Sequence, residues 1–159
     1  MGNDPQGNCR VLAFLIGQCC CHLLFGQSAF DKMSNEKIEK ILYRETQNVE
    51  GVRGRWQFEL HETTLMILTD EEANRMRIMA PIAEEKDLET DQYKTMLEAN
   101  FDRALDAKYA VFQGVVWSVF THPLAELTVE QLKDAMQQVV NLSQNFGGSY
   151  TSTDFVFGG

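Results

Sequence analysis

A hairpin of two strands that are apolar on both faces constrains this chain more than any other stretch. Residues 97–121 are LEANFDRALDAKYAVFQGVVWSVFT, the end of a helix followed by two strands that meet at Gln113 and Gly114. Gly114 supplies the positive φ that a two-residue turn requires. A strand with one face in water alternates apolar and polar residues, and these strands do not. The sequence therefore predicts either a hairpin at the centre of the core or one whose second face is covered by another surface.

A single sheet with helices on one side leaves its other face open, so the second face of the hairpin needs a cover. Three covers are considered, in order of preference: a second copy of the chain, the C-terminal stretch around Phe155 and Phe157, and a bound peptide. The hairpin residues predicted to contact a partner are Tyr109, Val111, Val116, Trp117 and Phe120.

The spacing of apolar residues along the chain predicts an α+β fold. Helical stretches begin at Ser34, near residue 90, and at Thr128, which forms a capping box with Gln131. The first helix is expected to run to about Asn48. The second is expected to bury Tyr93, Met96, Leu97, Phe101 and Ala104 on one face. Strands are predicted over 55–61, 65–68 and 75–82 and twice in the hairpin. The predicted order is α-β-β-β-α-β-β-α, an antiparallel five-stranded sheet with three helices.

The first 29 residues have the features of a secretory signal peptide. Arg10 precedes a nearly uncharged apolar run from Val11 to Phe25, and the small residues Ser28 and Ala29 follow. The run is short for a membrane span, which needs about 20 residues. We predict cleavage after Ala29, a periplasmic or secreted location, and a single domain over residues 30–159.

Translation that begins at Met33 is the alternative, and it would place the protein in the cytoplasm. The four cysteines, Cys9, Cys19, Cys20 and Cys21, all precede that residue. The domain itself is therefore expected to contain no thiol, no disulfide and no cysteine metal site.

The charge balance disfavours two classes of partner. The chain has 14 basic and 23 acidic residues and a net charge of -9. Such a field repels phosphate backbones and anionic lipid headgroups, so binding to nucleic acid and to membrane surfaces is disfavoured. Stable membrane insertion is not expected either, because the apolar run is short for a span.

Motifs that carry catalysis are missing from the sequence. There is no nucleophile elbow, Walker A loop, dinucleotide fingerprint or zinc-protease motif. His61 and His122 each follow a predicted strand without a neighbouring ligand, and a calcium-like spacing over 87–98 has Gln92 where glycine is required. We predict no catalytic residue, no metal and no cofactor, and therefore no enzyme.

Four arginines are candidates for binding an anion on the outward face of adjacent strands. The alternative is cross-strand pairing with Glu59 and Glu62, which stabilises a sheet only weakly. The candidate arginines are Arg53, Arg55, Arg75 and Arg77.

The stretch LEANFDRALDAKYAVFQGVVWSVFTHPLAELTVEQLKDAMQQV resembles the type III secretion chaperone-like superfamily and, within it, the YbjN-like domains. The similarity lies in a Leu-x-x-Asn pattern from Leu97 to Asn100, the turn between the strands, and a Leu-Thr-x-Glu-x-Leu pattern from Leu127 to Leu132. It covers nearly all of residues 34–147.

The resemblance implies a chaperone-like fold and a non-enzymatic function. Characterised members are small, acidic, often dimeric proteins that hold a partly unfolded client segment. We therefore expect an exported, chaperone-like domain that binds protein or peptide segments as a homodimer. Export departs from the family pattern, since secretion chaperones work in the cytoplasm. The alternative is a small-molecule or anion-binding protein, or an enzyme, that uses the arginine-bearing strands.

Overall fold

The computed structural model describes residues 32–153, so the predicted signal segment and the stretch around Phe155 and Phe157 lie outside the described residues. The strands form one antiparallel sheet in the order β1-β2-β3-β4-β6-β5. A 3-10 turn, Glu85–Asp87, precedes the second helix. The helices are α1 (Asn35–Glu45), α2 (Thr90–Asp102) and α3 (Val129–Gln144), and the strands are β1 (Gln47–Val52), β2 (Arg55–Leu60), β3 (Thr63–Asp70), β4 (Arg75–Glu84), β5 (Lys108–Phe112) and β6 (Val115–His122).

The described sheet has six strands where the sequence predicts five, because the edge strand β1 has no apolar alternation. Gly51 within β1 has a φ of +115°, and a Cβ at this position would collide with the carbonyl oxygen of Arg55. A bulge between Gln47 and Glu50 breaks the regular pairing with β2. The glycine that suggested a loose connection instead lies within the edge strand, where the missing Cβ lets the backbones of β1 and β2 approach closely.

The core lies between one face of the sheet and the helices. Helix α3 packs across β3, β4, β5 and β6, while α1 contacts β1. Helix α1 buries Ile38, Ile41 and Leu42, as predicted. Successive strand residues point to opposite faces, so alternate residues of β2, β3, β4 and β6, together with Tyr109 of β5, enter this core. These residues are Trp56, Phe58, Leu65, Ile67, Met76, Ile78, Ala80, Tyr109, Val116, Ser118 and Phe120.

The helix ends are set by local hydrogen bonds. The Ser34 hydroxyl accepts from a first-turn N–H of α1, and the predicted capping box of Thr128 and Gln131 is confirmed at the start of α3. Helix α1 ends earlier than expected, at Glu45. There Thr46 is extended, and both its N–H and its hydroxyl donate to the carbonyl oxygen of Leu42.

Asn100 joins α2 to the free edge of β5. Its Oδ1 accepts from the Tyr109 N–H at 2.7 Å, and its Nδ2 donates to the Tyr109 carbonyl at 3.1 Å. The Lys108 ammonium then donates to the carbonyl oxygens of Asn100 and Ala104, at 2.6 and 2.8 Å. The asparagine of the Leu-x-x-Asn pattern thus acts as a substitute strand partner for β5.

The predicted buried face of α2 is wrong for two residues. Met96 is buried as expected, whereas Leu97 and Phe101 are 71% and 88% exposed. Because Asn100 must face the β5 edge, the rotation of the helix is fixed and these two side chains point away from the sheet.

Tyr109 is a buried phenol within a cluster of three aromatic rings. Its hydroxyl donates to the carbonyl oxygen of Leu142 at 2.8 Å, and the rings of Phe146 and Tyr150 meet it edge to face. Burial raises the pKa of Tyr109 well above its ordinary range, and the neighbouring Tyr150 raises it further.

This pKa shift predicts a loss of stability in alkali. The phenol of Tyr109 in the unfolded chain ionises near pH 10, whereas in the folded chain it keeps its proton. Above about pH 10 the unfolded state therefore binds fewer protons, and the free energy of unfolding falls by up to about 1.4 kcal/mol per pH unit for this group. Urea unfolding of wild type and Tyr109→Phe above pH 10 measures the contribution of this phenol. We expect the free energy of unfolding to fall less steeply with pH for the variant. Equal slopes for the two proteins would contradict the raised pKa of Tyr109.

Candidate protein-docking face

Apolar side chains of four strands lie on the sheet face opposite the helices. Met79 pairs with Met66 on one side and with Val119 on the other, and directly paired residues share a face. The apolar side chains of this surface, which we call the open face, are half-buried or exposed within residues 32–153. Its apolar residues are Met66, Leu68, Met79, Pro81, Ala110, Phe112, Val115, Trp117 and Val119.

The residues of the open face keep apolar area in contact with water. Leu68 is 37% and Phe112 is 64% exposed, while Met79 and Val119 are half-buried by their neighbours in the sheet. The indole N–H of Trp117 donates to the carbonyl oxygen of Phe112 at 3.2 Å. Because its polar atom is satisfied within the chain, the ring of Trp117 adds an apolar surface to the open face.

The two apolar faces of the hairpin lie in different surroundings, one in the core and the other on the open face. Tyr109, Val116 and Phe120 point into the core, with exposures of 6%, 0% and 6%, so they present no surface to a partner. Trp117 lies on the open face, because its neighbours in the strand point the other way. Val111 is 38% exposed and lies beside α2.

Sequence reasoning missed the contribution of the two central strands to the open face. Met66 and Leu68 on β3, and Met79 on β4, lie between the buried residues of those strands. The signal was present, since β3 is apolar from Leu65 to Leu68 and therefore on both faces.

The turn that closes the hairpin has the conformation that the sequence predicts. Gln113 and Gly114 have φ values of 52° and 75°, both in the left-handed region of a type I′ turn. This turn aligns β5 and β6 so that Phe112 pairs with Val115 at the outer corner of the open face.

Three of the four candidate arginines meet at one end of the open face. Arg55 and Arg77 both pair with Leu68, one from each side, and therefore share a face. Together with Arg75 they line a shallow groove of about 550 Å³ that is open to solvent. We call this site the arginine groove.

The fourth arginine lies elsewhere. The guanidinium of Arg53 is 3.3 Å from the carboxylate of Glu39 on α1. The alternative, in which the arginines pair across strands with Glu59 and Glu62, is not observed in the described residues. Glu59 accepts from the side chain of Asn48 at 2.6 Å, and within residues 32–153 neither Glu59 nor Glu62 forms an ion pair with an arginine.

A second exposed apolar area lies on the outer side of α2 and is called the α2 patch. It consists of Leu97, Phe101 and Val111. Leu97 and Val111 line a groove of about 270 Å³ between α2 and β5. Lys94 and Glu98 flank the patch and form an ion pair at 3.4 Å.

The described histidines lie in a turn and at a strand end. His61 lies in the turn between β2 and β3. The ring of His122 stacks on Phe120, with its Nδ1 2.7 Å from the carbonyl oxygen of Pro123. Across residues 32–153 no three His, Cys, Asp or Glu side chains are grouped to hold a metal ion.

None of the helices in this part of the chain is both long and apolar enough to span a bilayer.

Comparison with known proteins shows the fold. No protein-family model matches the chain, and no curated protein matches it. A solved chain of the HopA1-SchA chaperone-effector complex is similar, with a TM-score of 0.54 and 15% sequence identity over 70% of this chain and 94% of that chain. At this identity the likeness establishes the architecture alone. The predicted chaperone-like α+β fold, with three helices and an antiparallel sheet, is confirmed.

Proposed function

We propose that this protein is a non-enzymatic, chaperone-like domain that holds an extended segment of another protein on its open face. The observation that carries the proposal is the uncovered apolar surface centred on Met79, Val119 and Trp117. Burial of apolar surface contributes about 25 cal/mol of binding free energy per Å². Side-chain contacts alone can therefore hold a client, without covalent chemistry. The solved chaperone–effector neighbour supports a protein client.

The shape of the open face favours an extended client. The arginine groove, which lies at one end of this face, is open to solvent rather than enclosed, as a site for a compact ligand would be. An extended segment can place every second side chain on such a surface. The net charge of -9 repels acidic surfaces at long range and so restricts which partners approach.

The α2 patch is proposed to pair with the same patch of a second copy. Phe101 is 88% exposed, an unusual position for a phenylalanine in a monomer. Two α2 helices that cross around a two-fold axis near Phe101 place the two phenylalanine rings against each other, so each patch covers the apolar residues of the other. Self-association then leaves the open face of each copy free for a client.

Export and the finer family assignment remain predictions. The pattern of the first 29 residues supports cleavage after Ala29 and a periplasmic or secreted location, and the 97–139 stretch supports the YbjN-like assignment. Met33 is buried, and its N–H lies 3.3 Å from the carbonyl oxygen of Ala125. A start after Ala29 keeps this residue inside the chain, whereas a start at Met33 makes it the initiator. Sequencing the N-terminus of the native protein distinguishes the two starts.

A pair of aromatic substitutions tests the docking role of the open face. Trp117→Ser removes the largest side chain of the open face. Tyr43→Ser removes an aromatic side chain that is 66% exposed on α1, away from that face. The probe is fluorescein-labelled, reduced and carboxymethylated α-lactalbumin, a permanently unfolded protein, and binding is followed by fluorescence anisotropy.

We expect wild type and Tyr43→Ser to bind the probe with similar affinity and Trp117→Ser to bind about tenfold more weakly. Circular dichroism spectra and thermal midpoints check that both variants are folded. Absence of binding by wild type, or equal weakening by both substitutions, would remove the proposal.

A further inference from the structure

We propose that the arginine groove binds a carboxylate of the client segment, so that this chain selects segments carrying an Asp or Glu beside their apolar residues. The inference rests on the proposed function, because it names a specificity of the same open face. Leu68 belongs to both surfaces, which makes the arginine groove continuous with the apolar residues.

The two central arginines have no partner within the described chain. The side chains of four of the six arginines in residues 32–153 donate to a carboxylate or a backbone carbonyl, whereas the guanidinium groups of Arg55 and Arg77 make no hydrogen bond or ion pair there. A guanidinium without a partner retains all five of its donors for a ligand. The four partnered arginines are Arg44, Arg53, Arg75 and Arg103.

The sheet register places these two arginines on either side of one possible anion. Arg55, Leu68 and Arg77 lie in a single cross-strand row on β2, β3 and β4. Adjacent strands are about 4.8 Å apart, so the two arginine backbones are separated by about 10 Å. Their long side chains can therefore converge above Leu68. Thr121 continues the same row on β6 and adds a hydroxyl donor.

The surrounding charges favour a carboxylate from outside the chain. Asp70 is the one acidic residue lining the arginine groove, and its Oδ1 accepts from the Ala73 N–H at 2.8 Å. The three arginines make the arginine groove locally positive in a chain whose net charge is -9. A carboxylate between Arg55 and Arg77 relieves their mutual repulsion and accepts charge-assisted hydrogen bonds, whereas a lysine there is repelled.

Peptides that differ at one pair of positions test this selectivity. Each has about 12 residues, enough to cross the sheet when extended, with alternating Leu and Ser and a central pair of Glu, Gln or Lys. Binding to the whole protein is measured by anisotropy at low salt for wild type, for Arg55→Ser/Arg77→Ser, and for Lys40→Ser/Arg44→Ser. The last variant removes two exposed cations from α1 and serves as the charge-matched control.

We expect the Glu peptide to bind wild type about tenfold more tightly than the Gln peptide, and the Lys peptide to bind most weakly. The Glu preference is expected to disappear in Arg55→Ser/Arg77→Ser and to persist in the control. Binding of the Gln peptide reports the proposed function, and the Glu-to-Gln ratio reports this inference. Equal binding of the two peptides by wild type, or a preference that survives loss of both arginines, overturns the inference alone. Binding of no peptide overturns both.

Discussion

The Gln138→Leu variant is expected to lose about 2–4 kcal/mol of unfolding free energy, the largest loss that we predict for a polar substitution. Gln138 is a buried residue of α3 with 3% exposure. Its Oε1 accepts from the backbone N–H groups of Asp106 and Ala107, at 2.9 and 3.2 Å. Its Nε2 donates to the carboxylate of Asp134 at 2.7 Å. A leucine of similar size leaves both N–H groups without this acceptor.

The contacts of Gln138 also connect two separate parts of the fold. Asp106 and Ala107 immediately precede β5, so Gln138 ties α3 to the start of the hairpin. Gln137→Leu is the matched control, because within the described residues the amide of Gln137 bonds only the side chain of Asn141 on the same helix, at 2.7 Å. Urea unfolding is expected to show a loss below about 1 kcal/mol for the control. Equal losses for the two variants would contradict this role of Gln138.

Replacing Phe101 by aspartate is expected to weaken self-association at least about 100-fold. Each copy in a two-fold dimer loses its phenylalanine and gains a charge at the centre of the interface, so the substitution acts twice. Phe101 is 88% exposed within one chain, and the stability of the isolated monomer is expected to change little.

Sedimentation equilibrium over a range of protein concentrations measures this effect. Tyr43→Asp places the same charge on α1 at a residue that is 66% exposed, and it is expected to associate as wild type does. A wild-type protein that stays monomeric at all concentrations, or a Phe101→Asp variant that associates normally, would show that the α2 patch is not a self-association surface.

The parts of the fold that could be predicted from the sequence are specified by signals within a few residues. The capping box at Thr128 and the turn at Gln113 and Gly114 each depend on side chains close in sequence, and the structure has both. The apolar stripe of α1 was equally clear. The missed strand β1 and the rotation of α2 depend instead on distant partners. Asn100 fixes that rotation through Tyr109, a contact that helical periodicity does not contain.

The composition of the hairpin indicates the proposed docking surface but does not identify its residues. The apolar run in β6 shows that both faces of the strand avoid water, yet it does not say which face the helices cover. That choice depends on the register with β4, where Ile78 pairs with Phe120 and Met79 with Val119. A shift of one residue would exchange the two faces. The predicted contact residues Val116 and Phe120 therefore lie in the core, and Trp117 lies outside it.

The residues of the arginine groove can likewise be predicted only in part from the sequence. Arg75 and Arg77 are two apart on one strand, so their common face follows from the sequence. The position of Arg55 beside them requires the pairing of β2 with β3 through Leu68. The separation of Arg53 depends on the course of β1, which the sequence did not predict.

Site-specific photo-crosslinking tests the open face as the client-binding surface most directly. The photoreactive amino acid p-benzoylphenylalanine is placed at Val119, within the open face, or at Tyr43 on α1, and each protein is irradiated with the labelled, unfolded α-lactalbumin probe. We predict a crosslinked product from position 119 and none from position 43. Crosslinking from position 43 alone, or equally from both, would contradict the assignment of the open face as the docking surface.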